Sequence, residues 1–253
     1  MHMTTQGLVL REVNYKEADK ILTVLTRDGG KQTVSARGCR RKNSTLAASA
    51  QLLVYSDMTL YEHQGRWSLK EAVSNRQFWG VRGEIEKLAL ASYFAELTEL
   101  VTEEDIPALD ILSLVLNSLH ALDQLPKDPA LVKAAFELKL MALAGYEPLL
   151  DACAVCGRET PQEPRLSLLH GVLHCAGCRE CVGGDISLPL PPEVLSAMRY
   201  IIYGDPKRLF SFRLTPEGLM ELGGVCEAFL LTQMERGFRT LDFYKRLTIG
   251  TDR

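Results

Sequence analysis

The chain has 253 residues, 46% of them hydrophobic, with a net charge of −3. That suffices for a sizeable core and for two or three units of a globular protein. No run of eighteen apolar residues occurs, and the amino end lacks the basic-then-apolar pattern of a secretory signal. These absences argue against a membrane-spanning or secreted protein and for a cytoplasmic one.

The charge is divided along the chain. Residues 1–79 carry 12 Lys and Arg against 7 Asp and Glu, whereas residues 80–253 carry 17 against 25. Such asymmetry suits one unit made for a polyanion and another made for something else. The expected division is therefore residues 1–79 and residues 80–253.

From Thr5 to Val73 the pattern is that of short strands: Gln6–Val13, Ile21–Thr26, Lys31–Ala36, Leu52–Tyr61 and Trp67–Val73, rich in Val, Leu, Thr, Tyr and Trp. Asp28-Gly29-Gly30 and Gln64-Gly65 supply turn residues for tight hairpins. Five such strands predict a small closed barrel of the OB type, since closure removes exposed edges. Alternation places Trp67, Leu69 and Val73 on one face. Between the third and fourth strands, Arg37-Gly38-Cys39-Arg40-Arg41-Lys42 sets four cations within six positions. Arg37, Arg40, Arg41 and Lys42 are the candidate phosphate contacts, because each phosphate neutralised releases condensed counterions. Lys16, Lys20, Lys31 and Arg66 can extend that surface, and Tyr15, Tyr55, Tyr61 and Trp67 are candidates for stacking on bases.

After Phe78 the period becomes helical. Helices are expected over Val81–Thr102, over Ile111–Leu125 and from Asp128-Pro129 to Ala144, with Asp128 as cap and Gly145 as stop. Pro192 opens a further helix ending near Gly204, and Thr215-Pro216-Glu217 starts another running to Arg246, with one buried face.

Between these helices lies Cys153-Ala-Val-Cys156, eighteen residues, then Cys175-Ala-Gly-Cys178. Two such hooks at this separation have the spacing of a structural zinc site at about 150–185, and four thiolates leave no coordination position open for substrate. Competing readings are two disulfides, a redox pair, or a ligand set that draws on Cys181, His170 or His174. Arg158 and Arg179, just beyond the hooks, could balance the anionic sulfurs. Seven cysteines without a secretory signal speak against disulfides. Cys39 and Cys226 read as ordinary core thiols of a reducing compartment.

The motifs of common catalysts are missing. Gly29-Gly30-Lys31 lacks the rest of a phosphate-binding loop, no His-x-Glu of a zinc deaminase occurs, and neither H-E-x-x-H nor G-x-S-x-G is present. The chain reads as a binding protein.

Gly7-Leu8-Val9-Leu10, then Tyr15-Lys16-Glu17-Ala18-Asp19-Lys20-Ile21, then Ala36-Arg37-Gly38, a late Cys-x-x-Cys-Gly and Gly171-Val172-Leu173-His174-Cys175 follow a distinctive order. Over essentially its whole length the chain resembles the RecO family of bacterial recombination mediators. The resemblance implies an amino-terminal OB-fold, a helical domain carrying a four-cysteine zinc finger, and an α+β multidomain architecture. It also implies binding of single- and double-stranded DNA, strand annealing, action with RecR, engagement of SSB and loading of RecA in the RecF pathway of DNA repair, without catalysis and near the nucleoid. On this basis Arg37, Arg40, Arg41 and Lys42 correspond to the family's basic barrel surface. Cys153, Cys156, Cys175 and Cys178 correspond to its zinc ligands. The third hook at Cys181 departs from the pattern, and the acidic remainder implies little DNA contact away from the barrel. A zinc-dependent nucleic-acid-processing enzyme is the alternative.

Overall fold

Five strands open the chain: β1 (His2–Tyr15), β2 (Asp19–Thr26), β3 (Gly30–Ala36), β4 (Tyr55–His63) and β5 (Arg66–Arg76). In the computed structural model, which describes residues 2–183 and 185–251, they close into a barrel in the order β1-β2-β3-β5-β4. All neighbours are antiparallel except β3 and β5, which meet in parallel at Val34↔Trp67 and Ser35↔Ser68. This is the expected OB-type barrel, and closure leaves no unpaired edge. Val9, Leu22, Val24, Val34, Met58, Leu60 and Leu69 fill it, and the turn-rich stretch before β4 adds Cys39, Leu46 and Ala50 to the same core.

The expected face of Trp67, Leu69 and Val73 is broken at its last member. Thr59 pairs with Glu71 while Leu60 pairs with Leu69, so Lys70 is an extra residue in β5. A bulge of one residue inverts the alternation beyond it. Ala72 therefore packs on the core and Val73 is 67% exposed.

Three helices follow: α1 (Trp79–Arg82), α2 (Ile85–Val101) and α3 (Leu109–Gln124). The single helix expected over Val81–Thr102 is divided because Glu84 adopts an extended backbone, φ −125° and ψ 119°, and becomes the cap of α2. Ala89, Phe94 and Leu97 of α2 are buried as the apolar band requires, whereas Ile85 is exposed.

Helix α4 (Pro129–Leu143) forms as expected: the Asp128 carboxylate accepts the Ala130 N–H at 2.8 Å, and Gly145, at φ +90°, ends it. Three strands that the sequence pattern did not reveal, β6 (Arg165–Ser167), β7 (Val172–His174) and β8 (Ser187–Pro189), form a small antiparallel sheet in the order β7-β6-β8. Helices α5 (Pro192–Tyr203) and α6 (Pro216–Met234) follow, the latter capped by Thr215 Oγ1, which accepts the Gly218 N–H at 3.0 Å. Helix α4 packs on α6. Buried on these helices, Lys133 Nζ lies 2.8 Å from both Glu137 and Glu227.

The helix expected to run to Arg246 stops at Glu235, whose φ of +51° is left-handed. After Gly237 the chain enters α7 (Arg239–Thr251), preceded by Phe238, whose ring meets that of Tyr93 edge-on at 5.8 Å. The chain forms two compact units, residues 1–125 with 238–253, and residues 126–237.

Candidate nucleic-acid interface and metal centre

The barrel carries a cleft of about 980 Å³ bordered by the β1–β2 turn, the end of β3 and the β4–β5 hairpin. Both turns bend through left-handed residues: Lys16 at φ +53° in the first, Gln64 and Gly65 at +52° and +73° in the second. Lys16, Arg37, Arg66 and Lys70 line the cleft against one carboxylate, Asp19. That carboxylate is engaged, since its Oδ1 accepts the Gly38 N–H at 2.7 Å. Among the described residues none of the four cations has a carboxylate partner. The cleft is thus a concentration of positive charge in a concave wall, which focuses the field on an entering anion.

Three of the four candidate aromatics share this cleft: Tyr15, Tyr61 and Trp67. Tyr15 is exposed and Lys16 Nζ sits 5.3 Å from its ring centre; Tyr61 is half-buried with Lys70 Nζ at 5.1 Å. Trp67 also packs against the barrel core. Tyr55 is elsewhere, donating its hydroxyl to Gln6 Oε1 at 2.9 Å. His63 and Lys70 line the cleft without having been singled out from the sequence. The bulge at Lys70 is what a strict two-residue alternation could not anticipate.

The loop after β3 folds back on the β1–β2 turn. The Arg40 N–H donates to Ala18 O at 3.0 Å and its guanidinium to Lys16 O at 3.3 Å, while buried Cys39 anchors the loop in the core. Arg37 faces the cleft; Arg40, Arg41 and Lys42 are exposed on the loop and are not among the cleft-lining residues. Lys20 and Lys31 serve the scaffold instead: Lys20 Nζ contacts Glu12 at 2.8 Å and Ala50 O at 3.0 Å, and Lys31 Nζ donates to Glu99 O at 2.7 Å. Lys16 and Arg66 do line the cleft.

In residues 126–237 the two hooks converge. The sulfurs of Cys153, Cys156, Cys175 and Cys178 lie within 4.8 Å of one another. Each hook is a tight turn: the Gly157 N–H donates to Cys153 O at 2.9 Å, with Gly157 at φ +69°, and the Cys178 N–H to Cys175 O at 2.9 Å. Cys156 and Cys175 are 3.8 Å apart, too far for an S–S bond. The separation matches the edge of a tetrahedron whose centre lies about 2.3 Å from each sulfur, the bond length of zinc to thiolate. The donor set therefore fits a four-coordinate soft metal.

Cys181 lies outside this group, exposed in a 3-10 turn over Ala176–Val182. His174 is fully buried and already paired. Its Nδ1 lies 2.9 Å from Cys175 O, which can only accept, so Nδ1 carries the proton and Nε2 accepts the Ser187 hydroxyl at 2.9 Å. His174 thus fixes the second hook to β8. Arg199 of α5 fixes the first, donating to the carbonyls of Leu150, Asp151 and Glu159 at 2.9, 2.9 and 3.1 Å. Arg158 contributes its carbonyl, which accepts the Cys153 N–H at 2.9 Å.

The free thiols are poised unequally. Burial pushes the Cys153 thiol up, but the N–H groups of Cys156, Cys175 and Val155 outweigh it and bring it down to about 6. Burial and the neighbouring Cys153 and Cys156 sulfurs push Cys178 up to about 12. Of these two thiols, Cys153 gives up its proton more readily than Cys178.

The model of the "Recombination protein O N terminal" region matches residues 1–78, and that of the "Recombination protein O C terminal" region matches residues 82–242. The chain belongs to the recombination protein O family. Within that family it is 31% identical over 246 residues to the DNA repair protein RecO of Acetivibrio thermocellus, covering 97% of each chain. It is 32% identical over 246 residues to that of Symbiobacterium thermophilum, covering 95% of this chain and 96% of the other. Among the described residues no helix is long and apolar enough to cross a membrane.

Proposed function

We propose that the chain is a non-catalytic DNA-binding mediator of recombinational repair, with residues 1–79 as its DNA-binding domain. The observation that carries this is the barrel cleft, where four cations without a carboxylate partner among the described residues stand among three aromatic rings. Cations hold phosphates of any sequence, and rings stack on any base, so the combination suits sequence-tolerant binding. Arg37 acts inside the cleft and Arg40, Arg41 and Lys42 beside it. Membership of the family and the DNA-repair role of the relatives support the wider function: binding of single- and double-stranded DNA, annealing of complementary strands and, with RecR, loading of RecA onto strands covered by SSB. The setting is the bacterial cytoplasm, at the nucleoid. Holding a strand on one unit and a protein on another raises the effective concentration of the handover without chemistry.

Cys153, Cys156, Cys175 and Cys178 hold a structural Zn²⁺. Four thiolates occupy every tetrahedral position, which argues against the alternative of a zinc-dependent nucleic-acid-processing enzyme.

The test is a titration of fluorescent single-stranded and duplex DNA, across a range of salt, with the wild type and with Arg37, Arg40, Arg41 and Lys42 changed together to Ala. Both affinities fall in the variant, and the log–log salt slope shrinks by about 0.7–0.9 for each phosphate that is no longer neutralised. Unchanged affinity and slope in a folded variant refute the placement of DNA on the barrel.

A further inference from the structure

Both cation–π contacts found among the described residues border the same cleft: Lys16 on Tyr15 and Lys70 on Tyr61. Among the described residues, the nearby exposed cations Arg40, Arg41 and Lys42 make no cation–π contact. The two groups of cations therefore offer different chemistry to a nucleic acid.

A ring can stack only on a base whose face is free. In a duplex those faces are covered by neighbouring base pairs, whereas an unstacked strand presents them. An ammonium resting on a ring is held weakly by the ring quadrupole and remains within reach of a phosphate. When a base takes the ring face, Lys16 and Lys70 are released to the backbone beside it. Exposed arginines and a lysine without rings contact phosphates alone, and these are displayed equally by paired and unpaired strands.

We propose that the protein has two separable DNA sites: the cleft takes single strands, with unstacked bases against Tyr15 and Tyr61, and the Arg40–Arg41–Lys42 loop holds duplex by its backbone. This rests on the DNA-binding reading above. It gives an annealing protein one surface for the strand that is still unpaired and another for the product, side by side on one barrel.

Two measurements test it on the full chain. Trp67 lines the cleft and the second tryptophan, Trp79, is 70% exposed on α1, so Trp79→Phe leaves Trp67 as the sole reporter. A single-stranded oligothymidylate quenches its emission, and a blunt duplex of equal length and comparable saturation does not. Separately, affinities at physiological salt are compared for Tyr15→Leu/Tyr61→Leu and for Arg40→Ala/Arg41→Ala/Lys42→Ala. The first variant loses about tenfold or more for single strands, the order expected from two stacked bases, and keeps duplex affinity within about twofold. The second loses about tenfold or more for duplex and less than about threefold for single strands, since screening beyond about 8 Å confines its influence. Equal quenching by both DNAs, or equal losses for both in either variant, overturns the separation while leaving the DNA-binding reading intact. Absence of any binding by the wild type overturns both.

Discussion

The barrel and the unit formed by residues 126–237 both bury apolar side chains but place their polar groups differently. The barrel is closed around aliphatic side chains and carries its unpaired charge outward, into the cleft. The other unit also turns polar groups inward: the sulfurs of Cys153 and Cys175, a buried His174 and a lysine between two glutamates, beside a half-buried arginine clamped on three carbonyls. Strands of three residues bury too little to hold themselves, so directional bonds replace area. The lesson is that the first unit can exchange surface charges with small cost in stability, and the second cannot lose a single inward partner cheaply.

The largest effect should come from the sulfurs. Zinc binding contributes about 10–16 kcal/mol in isolated finger peptides, so chelation or Cys153→Ser should collapse the hooks. Calorimetry should show the transition of residues 126–237 moving sharply down, with the cluster thiols becoming reactive. Trp67 fluorescence in a Trp79→Phe background, reporting the barrel, should hold. Simultaneous loss of the barrel signal would break the contrast.

Next comes Lys133→Met. It removes a buried cation that lies 2.8 Å from both Glu137 and Glu227, and should cost about 3–5 kcal/mol in urea unfolding. A loss below about 1 kcal/mol would mean that the buried ions add little to the apolar packing of α4 on α6. The contrast sharpens if Lys133→Met/Glu137→Leu recovers most of the loss, since a matched apolar pair needs no partner.

The smallest effect concerns acid. Burial raises the Asp185 carboxyl, but the Ser167 hydroxyl and the N–H groups of Leu169 and Ile186 outweigh it and hold it below the usual carboxylate range. Its stabilisation is therefore present above the unfolded value of about 3.9 and is lost as pH falls through the lower folded value. Because the group is partly exposed, the contribution should stay under about 1 kcal/mol. The difference in melting temperature between the wild type and Asp185→Asn, scanned from neutral pH to about pH 3, should shrink toward zero in acid, metal release being common to both. A difference independent of pH would assign the effect to shape alone.

The same contrast governs what the sequence reveals. Strands with a two-residue period, a proline and aspartate at a helix start, and cysteines at fixed spacing are local signals, and the barrel, α4 and the hooks were legible from them. Val73 was misplaced because a bulge at Lys70 is a pairing event between two strands, invisible in either one. Glu235 carries no glycine signal for its left-handed turn, so α6 and α7 read as one. Strands β6, β7 and β8 are shorter than any period. The cleft was partly legible, in Tyr15, Lys16, Arg37, Tyr61, Arg66 and Trp67, but which lysines were free of scaffold contacts depended on distant partners such as Glu99.

The return of the chain at Phe238 has a consequence for biosynthesis. Residues 126–237 interrupt a unit whose two pieces must find each other across the interruption. On the ribosome, Tyr93 of α2 emerges long before the ring that covers it, so that part of the apolar face of α2 waits uncovered while more than a hundred further residues are made. The inserted unit can mature during that interval, and α7 then joins the unit that the insertion interrupts.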